Sequence, residues 1–132
     1  MSDLRLRNEA IARRLWQGAS LGDPAPLLDM DPKVRWRTFG TGPNAGEFVG
    51  LDAVLRYLAA TGEGVDSMHS ELIDVFASAR GAVIHYRTEF VRGTKTLEGE
   101  YFLFLRIEAD VVREVTAVPW DQAAARVFWE PH

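Results

Sequence analysis

The chain has 132 residues, the length of one ordinary domain able to bury about two thirds of its unfolded surface. Its 47% hydrophobic and 26% charged residues are globular values that exclude disorder, and a net charge of −4 gives nucleic acid no electrostatic foothold. Cysteine is absent, so disulfides, thiolate metal sites and cysteine nucleophiles are excluded. No basic, apolar leader is expected from the opening residues, and no apolar run approaches the ~20 residues of a membrane span. A cytoplasmic protein with no membrane partner is expected.

From Leu4 to Ala19, apolar residues at Leu4, Ile11, Ala12, Leu15 and Ala19 make one helical stripe. Ser2 or Asp3 can cap it, Gly18 and Gly22 mark its end, and Arg5, Arg7, Arg13 and Arg14 read as its solvated face. Asp23-Pro24 opens a second short helix through Leu27 and Leu28, broken by Asp31-Pro32. Lys33 to Phe39 alternates Val34, Trp36 and Thr38 against Arg35, Arg37 and Phe39, the pattern of a half-buried strand. The turn residues of Gly40 to Gly50 read as a flexible lip, and Leu51, Val54, Leu55 and Leu58 restore helical spacing until Gly62.

Four strands follow, at about 68–77, 82–91, 96–107 and 111–118, joined by Ala79-Arg80-Gly81, Arg92-Gly93 and Glu108-Ala109-Asp110. Connectors so short favour antiparallel hairpins. Asp121 stands as the N-cap of a closing helix over Gln122 to Trp129. Helices first and a long meander afterwards give an α+β fold, a single domain over 1–132 with helices on one face of the sheet. Both strand faces carry aromatics: Ile84, Tyr86 and Phe90 alternate with His85, Arg87 and Glu89, and Tyr101, Leu103 and Leu105 alternate with Glu100, Phe102 and Phe104. One face can cover a core and the other a second copy, so a homodimer is expected.

Three segments carry a family resemblance: Leu28 to Trp36 (LDMDPKVRW), Ala45 to Val54 (AGEFVGLDAV), and Val112 to Val115 (VREV) leading to Trp120-Asp121. In this order they resemble the SnoaL-like branch of the nuclear transport factor 2-like superfamily, over about Asn8 to Trp129. The resemblance implies a cone-shaped half-barrel, a strongly curved, mostly antiparallel sheet enclosing a hydrophobic pocket, commonly in a dimer. Members include polyketide cyclases, ketosteroid isomerase and limonene-epoxide hydrolase, so the fold leaves the reaction open.

Alternation puts His85, Arg87 and Glu89 on one face of one strand. Arg87 and Glu89 are similar to the arginine and carboxylate of limonene-epoxide hydrolase, and the three together are the candidate catalytic centre. An arginine holds a partly buried carboxylate ionised, and a desolvated carboxylate without such help drifts towards its protonated form; both states serve acid/base chemistry. The structural reading beside it is an ion pair at solvent or at a dimer surface. The resemblance places a second acidic residue late on the last strand, where Ala117 or Val118 stands, and the isomerase base on the first strand, where Arg37 or Thr38 stands.

Trp36, Thr38, Tyr101, Thr116, Val118 and Trp120 are the candidate substrate contacts, and Tyr86 or Tyr101 can donate to a carbonyl. His69 with Glu71 offers another acid/base pair, and Asp74 interrupts an apolar strand. The histidines His69, His85 and His132 lack metal-binding spacing, and no phosphate-cradling glycine loop is found. No metal and no cofactor is expected. Two functions are compatible with these residues: a cofactor-independent isomerase, cyclase or hydrolase acting on a cyclic or polyketide-like apolar small molecule, and a non-catalytic ligand-binding or dimerisation module of the same fold.

Overall fold

The computed structural model describes residues 3–21 and 23–130, with the side chains of residues 20 and 21 left aside. Ser2, Gly22 and His132, named above as cap, helix end and candidate ligand, lie outside the described residues. Helix α1 spans Asp3–Leu21, α2 Ala25–Leu28, α3 Leu51–Glu63 and α4 Gln122–Trp129. The strands are β1 Arg35–Thr38, β2 Gly46–Val49, β3 Ser67–Ser78, β4 Gly81–Arg92, β5 Lys95–Glu108 and β6 Val111–Pro119. They form one curved, unclosed sheet in the order β2-β1-β6-β5-β4-β3. All neighbours are antiparallel except β1 and β6, whose parallel pairing sets Trp36 beside Val115 and Thr38 beside Ala117.

Helix α1 lies across β3 and β4 and buries a stripe of Asn8, Ala12 and Leu15, spaced four and three apart as a helix face requires. Leu4 falls off this stripe and is exposed. Asn8 is buried at a cost that one hydrogen bond offsets: its Nδ2 donates to the Ser78 carbonyl at 2.9 Å. Gly18 does not end α1 but lies within it. A Cβ there would stand 2.6 Å from Pro26 Cγ, so the missing side chain lets α2 fold back against the helix.

The expected lip between β1 and α3 contains a strand of its own. Its second half, β2, pairs with β1 and turns Phe48 inward and Glu47 outward. Four residues with one aromatic were too short a pattern to read as a strand. Gly50, at φ 95°, then swings the chain into α3, whose helix runs past Gly62 to a cap at Gly64. Asp121 caps α4 as expected, its Oδ1 accepting from the Ala124 N–H at 2.9 Å.

The core lies between α1, α3 and the concave face of the sheet, where Val34, Val54, Ile84 and Val115 are closed to solvent. Two β-bulges set its register. Ile73 is the extra residue in β3, between Leu72 opposite Tyr86 and Asp74 opposite His85. Arg113 is the extra residue in β6, between Val112 opposite Ile107 and Glu114 opposite Arg106. Beyond this second bulge Val115, Ala117 and Pro119 point inward while Thr116 and Val118 point outward. Asp74 faces solvent, so its carboxylate carries no burial cost.

Candidate ligand-binding site

The concave face does not close on itself. Between the sheet, α1, α3 and α4 it leaves a cavity of about 570 Å³, within the usual range for a small-molecule site of about 300–1,000 Å³. Its walls are aromatic because the inward positions of five elements are. Trp16 of α1 packs on Tyr86 of β4 with ring centroids 4.9 Å apart, and Tyr86 stacks on Tyr101 of β5 at 5.6 Å. Trp36 of β1 and Trp129 of α4 complete the apolar lining.

Polar groups enter at the mouth. Tyr57 of α3 donates its hydroxyl proton to the Asn44 carbonyl at 2.9 Å, so in the 2.8 Å contact with Thr38 the Thr38 hydroxyl must be the donor. Thr61 Oγ1 lies 3.2 Å from Asn44 Oδ1 and 3.0 Å from the Tyr57 carbonyl oxygen. Tyr57 and Thr61 thereby tie the β1–β2 loop to α3: the Asn44 carbonyl accepts from Tyr57, and the single Thr61 hydroxyl proton goes either to Asn44 Oδ1 or to the Tyr57 carbonyl.

Burial raises the Tyr57 phenol above the ordinary value, opposed by the Thr38 hydrogen bond. Burial, with Asp121 nearby as a smaller cause, pushes Tyr101 up to about 12, and Tyr86 is driven higher still, again mainly by burial. All three are neutral hydrogen-bond donors throughout the physiological range. The hydroxyls of Tyr86 and Tyr101 have no hydrogen-bond partner among the described residues, and neither has the buried Trp36 Nε1.

The far rim is α4. Its C-terminal carbonyls are held by the β4–β5 hairpin: Arg92 donates to Phe128 at 2.9 Å and to Glu130 at 3.0 Å, and Lys95 reaches Glu130 at 3.0 Å. Phe128 packs tilted and Trp129 edge-on against Phe90. Gly42 brings the β1–β2 loop against this helix, since a Cβ there would lie 2.8 Å from Arg126 Cα. Arg126 therefore stands at the mouth, paired at 3.1 Å with Glu130. An exposed pair at this spacing contributes only about 0.3–0.5 kcal/mol, so its guanidinium is readily recruited by another anion.

His85, Arg87 and Glu89 do share one strand face, but it is the opposite one. Ile84, Tyr86 and Phe90 fill the concave side, and the polar alternates project from the back of the sheet. There His85 stacks on Phe102 at 4.3 Å and its Nε2 lies 2.6 Å from Glu100 Oε1, Arg87 pairs with Glu98, and Glu89 is exposed. The expectation of a catalytic centre inside the pocket is corrected by this geometry: the larger apolar set of β4 takes the side facing α1.

Among the expected substrate contacts, Trp36, Thr38 and Tyr101 line the cavity. Thr116, Val118 and Trp120 do not, because the β6 bulge and the strand alternation turn them outward; Trp120 is 75% exposed and lies against Phe102 at 5.9 Å. Ala117 and Pro119 take their place. Among the lining residues that sequence reasoning did not single out are Trp16, Asn44 and Arg126; Trp16 lies beside the helical stripe without having been counted in it, and nothing local pointed to the other two. His69 reaches the rim, 3.8 Å from Glu71 and largely exposed. No Asp or Glu is among the described lining residues.

The SnoaL-like domain family model matches residues 12–115. The chain belongs to the SnoaL-like family. Structures of the nuclear transport factor 2-like superfamily share its fold. Bal32a, from a soil-derived mobile gene cassette, superposes with a TM-score of 0.89 at 22% identity, over 96% of this chain and 99% of that one. TerC, crystallised with polyporic acid, gives 0.80 at 15% identity over 95% and 99%. A protein of Jannaschia sp. CCS1 assigned as a SnoaL-like polyketide cyclase gives 0.80 at 14% identity over 100% and 98%. No curated protein sequence matches the chain. At these identities the structural likeness carries the fold alone, and the function of this SnoaL-like chain rests on its own cavity. Among the described residues no helix is long and apolar enough to cross a membrane.

Proposed function

We propose that this chain acts as a single SnoaL-like domain that binds a flat, cyclic, largely apolar small molecule without transforming it, the tyrosine hydroxyls of its cavity serving as donors to a ligand oxygen. The observation that carries this reading is an aromatic cavity of about 570 Å³ with no carboxylate among its described lining residues. Acid/base chemistry in this fold needs a group that exchanges protons near neutrality; the raised phenols do not supply one, and His69, the one imidazole among the described lining residues, stands largely exposed at the rim beside Glu71 rather than inside the cavity.

A second reading, a cofactor-independent isomerase, cyclase or hydrolase of a cyclic or polyketide-like substrate, is favoured by the side-by-side Tyr86 and Tyr101 hydroxyls, which can stabilise developing negative charge on a carbonyl oxygen. The names of the neighbours, a cyclase and a protein crystallised with polyporic acid, agree with a cyclic, oxygenated ligand on either reading. A reducing, cytoplasmic setting is compatible with a chain free of cysteine.

Incubation with a panel of cyclic ketones, lactones, epoxides and quinones, read by thermal unfolding and by NMR of the recovered compound, separates the two. A binder present at a hundredfold excess over Kd gains about 2.7 kcal/mol, and its ligand is recovered unchanged. A rearranged or hydrated product would establish the enzyme reading instead. In Glu89→Gln and His85→Gln variants the ligand response should be that of the parent; its loss would return the outer cluster to the functional site.

We further propose that the outer sheet face joins two copies. Phe102, Phe104 and Trp120 form an apolar centre there, with Phe104 46% exposed. Ion pairs flank it on both sides, Arg35 and Arg37 with Glu47 at one end and Arg87 with Glu98 at the other. An apolar centre inside a rim of both signs is what a self-complementary twofold contact requires. Light scattering should give a dimer mass for the parent and a monomer mass for Phe104→Arg; a monomeric parent sinks the assignment.

A further inference from the structure

The reading of the cavity as a ligand site can be taken one step further, to the charge of its ligand. Three independent observations bear on it. The chain holds 19 acidic and 15 basic residues, yet the described cavity lining includes no Asp or Glu and one permanently charged side chain, Arg126. A wall drawn at random from this composition would carry carboxylates. Next, the cavity holds donors without a partner. The Tyr86 and Tyr101 hydroxyls donate to no described residue, while the Asn44 carbonyl at the mouth already accepts from Tyr57. A ligand that satisfies this lining must bring acceptors.

The third observation is that Arg126 is placed rather than merely present. Gly42 packs against its Cα and its side-chain stem, and Arg92 and Lys95 fix the end of α4 that carries it. Its one carboxylate partner, Glu130, caps the C-terminus of the same helix outside the cavity and is exposed enough to reach solvent. On the other rim, His69 stands 3.8 Å from Glu71, and both side chains are largely exposed.

We infer that the cavity takes an aromatic organic acid as its anion, with the rings against the wall formed by Trp16, Tyr86 and Tyr101 and the anionic oxygens at the mouth against Arg126. A neutral ketone would use the phenols and leave the guanidinium idle. A carboxylate, or a hydroxyquinone or enolised diketone ionised at neutral pH, uses both. This inference rests on the cavity being a ligand site.

The test compares 2-naphthoate with its neutral isostere 2-naphthamide by isothermal titration calorimetry at pH 8, in low salt and in 0.5 M sodium chloride. A charge-assisted hydrogen bond is roughly twice as strong as a neutral one, so the anion should bind about 5–10-fold more tightly in low salt, and screening should shrink the difference at high salt. Arg126→Gln should remove the preference while changing 2-naphthamide affinity less than about twofold, and Arg126→Lys should keep part of it, since lysine retains charge without the planar fork. Equal affinities in the parent, tighter binding of the amide, or a preference that survives in Arg126→Gln would each overturn the assignment of an anionic ligand while leaving the cavity a ligand site. Binding of neither compound would overturn both.

Discussion

Replacing Gly81 by alanine should cost the protein about 3 kcal/mol or more, at the upper end of what overpacking does. Gly81 is the first residue of β4 and pairs with Arg106 of β5. A Cβ at this position would overlap the carbonyl oxygen of Leu105. That oxygen belongs to backbone, on a strand bonded to β4 on one side and β6 on the other. It cannot move aside as a side-chain tip can. Relief requires β4 and β5 to separate where Ala82, Ile84 and Leu105 build the core. Gly99, in the same sheet, has open space around its Cα. Gly99→Ala should therefore be neutral or gain up to about 1 kcal/mol through a less flexible unfolded chain. Urea unfolding of the two variants checks the contrast. A loss below 1 kcal/mol at Gly81 would mean that the strand spacing yields.

The double substitution of Tyr86 and Tyr101 by phenylalanine should have the largest effect on recognition. Each neutral hydrogen bond contributes about 0.5–1.5 kcal/mol, so the pair sets an expected loss of about 5–150-fold for a ligand carrying a carbonyl. The rings remain, and with them the stacking between β4 and β5. Affinity for 2-acetylnaphthalene should fall accordingly, while that for 2-ethylnaphthalene, which offers no acceptor, should stay within about twofold. Equal losses for both compounds would reduce the phenols to wall material.

The same argument sets a pH response. A phenol whose folded value is raised keeps its proton, and the stability tied to it, below the unfolded value near 10; both are lost as pH rises through the folded value, about 12 for Tyr101. Ketone affinity should accordingly be flat from pH 7 to 9, and a decline in that window would contradict the burial of the two hydroxyls.

Much of this architecture was legible in the chain. The period-two runs from about Met68 onward and the short connectors between them identified four antiparallel strands, and Asp121 before an apolar run identified the last helix. The segments Leu28 to Trp36, Ala45 to Val54, and Val112 to Val115 leading to Trp120-Asp121 pointed to the SnoaL-like family. Trp36, Thr38 and Tyr101 were also read as facing one pocket, and they line the same cavity.

Alternation tells which residues share a face and is silent on which face meets the core. For β4 that choice was made by α1, which lies over Ile84 and Tyr86 and leaves His85, Arg87 and Glu89 on the back. For β6 it was made by a single extra residue, Arg113, which shifts the phase and turns Ala117 rather than Val118 inward. Neither event leaves a local signature, since a bulge is a property of two strands together. Asn44, Tyr57 and Arg126 sit on a loop and two helices far apart in sequence, and only the packing of α3, α4 and the β1–β2 loop around the open end of the sheet makes them one rim. Local pattern thus determined the elements and the family of this protein, because hydrophobic period and turn chemistry act over a few residues. The tertiary structure decided the inside of the cavity, because sidedness and the meeting of distant elements are settled only when the layers pack.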